Sequence, residues 1–373
     1  MRKVLLRQFG NRIFSLLYHI TFRRAGQGDL YAKMTEPLEF KQDLLYNKSI
    51  KYFFPKKRRS IMQTTPVTFE SLGLTPKNGK LTPDQIKGVK ALGCLKDKRF
   101  DDIFNVRVIT RNGKITSKEQ MAIAKAAELF GSASVAMTTR LTVEIQGVPY
   151  DKIPALIEFL QGYGLETGGT GTKVRPIVSC KGTTCVFGLI DTYGLSEKIH
   201  ERFYKGYHDV TLPHKCKIAV GGCPNNCVKP DLNDIGVIGQ RLITPNLEKC
   251  RGCKKCAIEV NCPMKAAQVV DGKVWRDPSI CNRCGRCFEK CPFGVFSEAT
   301  VAYKICIGGR WGKKAAMGKP LNYLFTSEED VLNTIERAIC LFRDEGIKGE
   351  RFSDTIARLG FDYVEAKLLE GIR

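Results

Sequence analysis

The sequence predicts an α+β sandwich interrupted by one small cysteine-rich insertion. Three observations lead there. Between about residues 105 and 164, strand-like and helix-like stretches run in the order β-β-α-β-α, which does not suit the strict alternation of a doubly wound sheet. The chain has 373 residues, of which 43% are hydrophobic, enough to bury the cores of two or three domains. Thirteen of its 16 cysteines fall between residues 180 and 291, and all of these but Cys216 sit in closely spaced pairs or runs, so that region is organised differently from what flanks it.

Residues 1–75 read as a basic extension, with "PKKRR" at 55–59 and Leu5, Phe9, Ile13, Leu16, Leu17 and Ile20 on one face of an N-terminal amphipathic helix. That helix suits packing against the protein or a partner, and membrane-surface docking is the alternative. A first module covers residues 76–245. "NVRVIT", "RNG" and "KIT" read as strand, turn and strand. "SKEQMAIAKAAELF" reads as a helix capped by Ser117, "SVAMTTRLTVEIQG" as a strand, and "YDKIPALIEFLQGYG" as a helix ending at glycine. "TGGTGTK" lacks the GxGxxG spacing of a dinucleotide turn and reads as a loop. With no nucleotide or flavin fingerprint visible, electrons for any redox chemistry come from another protein. The cysteine-rich insertion takes residues 246–296. The module resumes over residues 297–373 with a strand in "VAYKICIGGRWGKK" and two closing helices, "SEEDVLNTIERAICLFRDEG" and "ERFSDTIARLGFDYVEAKLLEG".

The net charge is +22, but the lysines and arginines are spread along the whole chain without interleaved aromatics, which argues against nucleic acid. No stretch reaches the roughly 18 apolar residues of a membrane span, and the N-terminus lacks a small-residue cleavage site, so the expected location is the cytoplasm. There, clustered CxxC runs read as metal sites rather than a disulfide framework. Cys94, Cys216, Cys306 and Cys340 stand alone and read as small buried apolar residues.

In the insertion, "CRGCKKCAIEVNCP" and "CNRCGRCFEKCPF" resemble the bacterial two-cluster ferredoxin run C-x2-C-x2-C-x3-C-P. The resemblance implies that Cys250, Cys253, Cys256 and Cys291 hold one [4Fe–4S] cluster, and Cys281, Cys284, Cys287 and Cys262 a second, each run lending its fourth cysteine to the other. Five residues rather than three precede Cys262, which lengthens that connection. Paired Zn(Cys)4 sites are the alternative.

A second constellation, Cys180 and Cys185 in "SCKGTTC" with Cys223 and Cys227 in "GGCPNNC", suits a further [4Fe–4S] cluster, a structural zinc or a pair of redox disulfides. Its surroundings resemble the sirohaem-containing sulfite and nitrite reductases, over residues 90–245 and 297–373. The arrangement is most similar to the catalytic subunit of anaerobic sulfite reductases, which carries the same insertion. This resemblance implies sirohaem plus three [4Fe–4S] clusters, with Cys227 bridging one cluster to the sirohaem iron. The family's K-x-K strand matches Lys215 and Lys217, its T-x-R motif matches Arg140, and the arginine before the first cysteine pair matches Arg175. A hairpin arginine matches Arg107, with Arg111 as the alternative; these cations would hold substrate and sirohaem. The family's first pair is usually C-x5-C and is C-x4-C here, and one further arginine of the family is Ala136.

The implied reaction is six-electron reduction of sulfite to sulfide, with electrons relayed by the insertion from ferredoxin or a dedicated electron-transfer subunit. Nitrite reduction to ammonia, or a non-catalytic electron-transfer role, are the alternatives. Three clusters and a sirohaem would bring the charge from +22 to roughly +8. Because the chain carries one copy of a module that many relatives duplicate, the resemblance implies a homodimer or larger complex, each site taking cations from one chain and thiolates from its mate.

Overall fold

The computed structural model describes residues 66–372, and the amphipathic-helix and basic-run readings for the N-terminus lie outside them. Packing starts before residue 75: Val67, Phe69 and Leu72 lie against the first core, Leu74 is inside it, and Phe69 stacks on Tyr150 with ring centroids 5.2 Å apart. Helix α1 (Pro83–Ala91) begins at a capping box, Thr82 and Gln85 each accepting the other's backbone N–H.

The first sheet is antiparallel in the order β1-β2-β4-β3: β1 (Cys94–Lys96), β2 (Ile103–Val108), β3 (Val135–Met137) and β4 (Val143–Pro149). Alternation on β2 buries Phe104, Val106 and Val108 and turns Arg107 to the opposite face. Helices α2 (Ser117–Phe130) and α3 (Ile153–Gln161) contribute Ala122, Ile123, Ala126, Leu156 and Leu160 to the same core.

Three local expectations are corrected. "KIT" is not a strand but the lead-in to α2. The cap of α2 is Thr116, not Ser117, because Glu119 lies three residues beyond Thr116 and completes a capping box: Thr116 Oγ1 accepts the Glu119 N–H at 3.2 Å, and the Glu119 carboxylate accepts the Thr116 N–H at 2.7 Å. "SVAMTTRLTVEIQG" is a hairpin of two strands rather than one, folded back at Leu141, whose φ is +59°.

The second sheet runs β11-β10-β7-β6-β5 and mixes parallel and antiparallel pairs. Strand β5 (Val178–Ser179) leads to α4 (Thr192–Ile199); β6 (Ile218–Gly221), buried on both faces, pairs in parallel with β5 and with β7 (Ile235–Thr244). The insertion lies between β7 and β10 (Glu298–Ile307). These strands pair over ten positions, from Ile307 opposite Ile235 to Glu298 opposite Thr244, so the insertion leaves and re-enters at one point. It holds a short helix α5 (Ala257–Asn261), a hairpin of β8 (Ala267–Val270) and β9 (Lys273–Arg276) turning at Asp271-Gly272, and a small core of its own around Ile258, Val274, Val295 and Phe296.

After β11 (Lys319–Phe325), the chain closes with α6 (Glu328–Glu345), α7 (Phe352–Leu359) and α8 (Phe361–Leu368). The expected last helix is therefore two, divided at Gly360, whose φ of +89° ends α7. Ile335, Ile339 and Phe342 of α6 pack with Ile218, Val220, Val237 and Ile305 of the sheet. Among the described residues, no helix is long and apolar enough to cross a membrane.

Candidate functional site

Two groups of side chains occupy opposite ends of β6. At its start, cations collect. Arg140 sits at the tip of the β3–β4 hairpin, in a turn where Thr138 Oγ1 accepts the backbone N–H of Arg140 at 3.2 Å and of Thr142 at 3.3 Å. Its guanidinium crosses to the second sheet. There it donates to Asn233 Oδ1 at 2.7 Å, to the Ile218 carbonyl at 3.2 Å and to the Pro176 carbonyl, while its buried Nε has no partner among the described residues.

Arg107 and Arg175 share one acceptor, the carbonyl of Gly169. Arg107, directly across from Glu144 in the sheet register, also holds that carboxylate at 2.6 Å. Burial pushes Arg140 and Arg175 down to about 10, and in each a neighbouring arginine adds to the fall. Crowded, partly dehydrated guanidiniums of this kind favour an incoming anion.

Lys215 and Lys217 complete the group. Each is held through its backbone N–H, Lys215 by His214 Nδ1 at 2.7 Å and Lys217 by Asp234 Oδ2 at 2.9 Å, and among the described residues neither ammonium has a hydrogen-bond partner. Burial, then Arg140, Arg351 and Lys215, bring Lys217 down to about 8. Lys215 is lowered as well, by burial and by Arg351 and Arg175. Arg111 is elsewhere. Its φ is +62°, and it is paired with Glu119 at the start of α2 at 2.8 Å. Ala136 stands opposite Glu144 on β3.

Several members of this site were missed from sequence. Asp234 and Arg351 form a buried pair with both contacts at 2.8 Å, and Asp234 thereby ties α7 to Lys217. An acid directly before the apolar run "IGVIG" was the available signal for it. Asn233 and the Gly169 carbonyl position arginines, so the "TGGTGTK" loop has a task. Gly169 has φ +74°, and a Cβ there would meet Pro176 Cγ at 2.7 Å and Arg107 Cδ at 3.3 Å.

At the far end of β6 lie Cys180, Cys185, Cys223 and Cys227. Burial pushes the Cys223 thiol up, with Cys180, Cys227 and Cys185 adding to it, against the Asn225 N–H. Gly222 N–H donates to Cys180 Sγ at 3.1 Å. A Cβ on Gly222 would meet the Gly182 Cα at 2.7 Å, so the two cysteine loops touch backbone to backbone. Cys227 is exposed and the other three are half-buried. In the insertion, one cavity of about 100 Å³ is lined by Cys250, Cys253, Cys256 and Cys291, and a second by Cys262, Cys281, Cys284 and Cys287. None of the twelve is in a disulfide. Val274 N–H donates to Cys250 Sγ at 3.3 Å, and Ala266 N–H to Cys262 Sγ at 3.2 Å. Among the described residues, no three His, Cys, Asp or Glu side chains converge as ligands of a single metal ion. Of the lone cysteines, Cys94, Cys216 and Cys306 are buried, whereas Cys340 is half-exposed beside Tyr207.

The pattern described as "Nitrite and sulphite reductase 4Fe-4S domain" matches residues 170–371, more than half of the chain. The chain belongs to this family. The pattern described as "Nitrite/Sulfite reductase ferredoxin-like half domain" matches residues 97–163. Among its relatives, an uncharacterized protein of Methanocaldococcus jannaschii is 32% identical over 73% of this chain and 93% of that one. The coenzyme F420-dependent sulfite reductase of the same organism is 30% identical over 74% of this chain, which spans only 43% of that enzyme. One component of the anaerobic sulfite reductase of Salmonella typhimurium is 26% identical over 75% of this chain and 86% of that component. In fold, the chain is similar to dissimilatory sulfite reductase I, with a TM-score of 0.58 at 23% identity over 77% of this chain and 71% of that one. The α+β architecture of this family therefore agrees with the fold read from the sequence.

Proposed function

We propose that the protein reduces sulfite to sulfide at a sirohaem coupled to a [4Fe–4S] cluster, with electrons entering through the insertion, a two-cluster ferredoxin domain. The overall change consumes one sulfite, six electrons and six protons, and yields sulfide and three waters. The observation that carries this reading is the gathering of Arg107, Arg140, Arg175, Lys215 and Lys217 at one end of β6. There the two ammoniums lack partners and buried guanidinium Nε atoms are unpaired among the described residues. Unpaired buried donors are costly unless something accepts from them. A small oxyanion and the carboxylates of a sirohaem fit that set. Sirohaem supplies an iron able to bind sulfite and pass it electrons.

The cysteines fit clusters. Cys180, Cys185, Cys223 and Cys227 would hold the coupled one, and Cys227, the exposed one of the four, would be the residue that also contacts the sirohaem. The two insertion cavities would hold one cluster each, with N–H···S bonds stabilising the thiolates. Arg107, Arg140 and Arg175 orient the anion and keep their protons. Lys217, brought to about 8, is the group able to give a proton near neutral pH as oxygen leaves as water.

Lys217 directly precedes β6 and Cys223 lies six residues on, in the bend after it, so the two are at most about 20 Å apart along the chain. One chain's cations and thiolates thus flank opposite ends of β6. This supports a homodimeric site, with cations from one chain and thiolates from its mate. The test is anaerobic turnover with a reduced viologen dye and each anion in turn. Sulfide from sulfite is the expected product; nitrite consumed in its place would select the second reading, and no dye oxidation by either would refute both.

A further inference from the structure

The two cavities of the insertion are not equivalent. The one bounded by Cys250, Cys253, Cys256 and Cys291 is lined only by insertion residues. Cys253 is exposed there, and so are Arg251, Lys254 and Lys255. The other cavity is built against the body of the protein, and Arg241 of β7 is one of its walls. Arg241 N–H donates to the Arg283 carbonyl at 2.9 Å, and its guanidinium lies 4.7 Å from the Phe288 ring centroid. Gly285, at φ +70°, lets the Arg241 side chain press in: a Cβ there would meet Arg241 Cδ at 2.7 Å. None of this cavity's four cysteines is exposed, and Cys287 is buried.

From this inner cavity one contact reaches the Cys180–Cys185 loop. The Arg286 guanidinium lies 4.8 Å from the ring centroid of Phe187. Arg286 stands between Cys284 and Cys287, and Phe187 is two residues beyond Cys185. On each side the path from contact to cysteine is at most two residues of chain, about 7 Å. Phe187 and its neighbour Val186 are both exposed, at 42% and 91%, so burial in a core does not account for an aromatic at that place.

We propose that the Arg286–Phe187 contact is the junction through which electrons pass from the insertion to the Cys180/Cys185/Cys223/Cys227 quartet, with the Cys262/Cys281/Cys284/Cys287 set as inner station and the Cys250/Cys253/Cys256/Cys291 set as entry station. The inference rests on the reading above, that each set holds a cluster. The step moves one electron from the inner cluster to the quartet's cluster. No bond is made or broken and no proton moves. The electron comes from a protein-sized one-electron donor, which the exposed cations around Cys253 suit if its docking face is acidic.

The experiment uses the cofactor-loaded protein and a reduced ferredoxin as donor, follows cluster reduction by stopped-flow absorption and freeze-quench EPR, and compares wild type with Phe187→Ala, Phe187→Tyr and Arg286→Gln. In the alanine and glutamine variants the insertion clusters are expected to reduce at the wild-type rate, while reduction of the quartet's cluster slows several-fold; tyrosine at 187 restores it. Wild-type rates of quartet reduction in both Phe187→Ala and Arg286→Gln would overturn the proposal, as would slowing confined to the insertion clusters. Failure of the underlying reading looks different: the wild-type protein would lack the iron and the EPR signals of three clusters.

Discussion

Changing Lys217 to Gln or to Arg isolates the protonation step. The structure brings its ammonium from the ordinary lysine value of 10.5 to about 8, first by burial and then through Arg140, Arg351 and Lys215. At about 1.36 kcal/mol per pH unit, that move is about 3 kcal/mol against the charged form, and solvent contact at a half-buried group brings the effective figure to ~1–2 kcal/mol. The sign follows directly: below about pH 8 Lys217 carries its proton and can deliver it, and above that it cannot. The rate kcat/KM for sulfite, which reports the free enzyme, should fall on the alkaline side with a midpoint near 8. Lys217→Gln should lower kcat/KM by about 10²–10⁴-fold, the usual worth of a positioned proton donor, and should abolish the limb. Lys217→Arg keeps the charge at all accessible pH, so it should retain binding, lose rate, and show no limb near 8. The assay is anaerobic dye oxidation from pH 6 to 10, with the substrate's own titration divided out by comparison between variants. An alkaline limb that persists unchanged in Lys217→Gln would refute the reasoning.

The two-chain site predicts complementation. Lys217→Gln and Cys227→Ser chains should each be inactive alone, while co-expression should recover about a quarter of wild-type activity, from the one intact site of each mixed dimer. Recovery of nothing would place both groups in one chain's site. Asp234→Ala should destabilise the protein by about 3–5 kcal/mol in urea, because it leaves Arg351 buried and unpaired; a loss below ~1 kcal/mol would contradict that pairing. Gly169→Ala should weaken sulfite binding, read as a rise in KM, because the strained carbonyl no longer holds both Arg107 and Arg175. Cys291→Ser should remove the EPR signal of the entry cluster and leave the inner one, since the cavity it lines is that of Cys250, Cys253 and Cys256.

What the sequence made legible had short-range causes. The cysteine runs carry their spacing in the chain, and Lys215 and Lys217 alternate on an extended stretch. The α2 helix and the closing helices follow from periodicity, and even the misplaced cap at Ser117 was one residue from Thr116, where Glu119 decided the matter. What stayed hidden depends on partners distant in sequence. Asp234 becomes meaningful only when α7 brings Arg351 to it across 117 positions, and the Gly169 carbonyl only when Arg107, 62 residues away, turns toward it. The choice between Arg107 and Arg111 was equally non-local. Glu119 pairs with Arg111 at the start of α2, while Glu144 pairs with Arg107 and the Gly169 carbonyl sets Arg107 beside Arg175. The Phe187–Arg286 contact could not be read from sequence either, since nothing in the runs says which face of the insertion meets the body.

The most direct test of the central claim is low-temperature Mössbauer and EPR spectroscopy of anaerobically purified, iron-57-labelled protein. The expected result is a tetrapyrrole iron magnetically coupled to one four-iron cube, with two further cubes uncoupled. A protein with no tetrapyrrole, or with a haem iron showing no coupling to any cube, would contradict it.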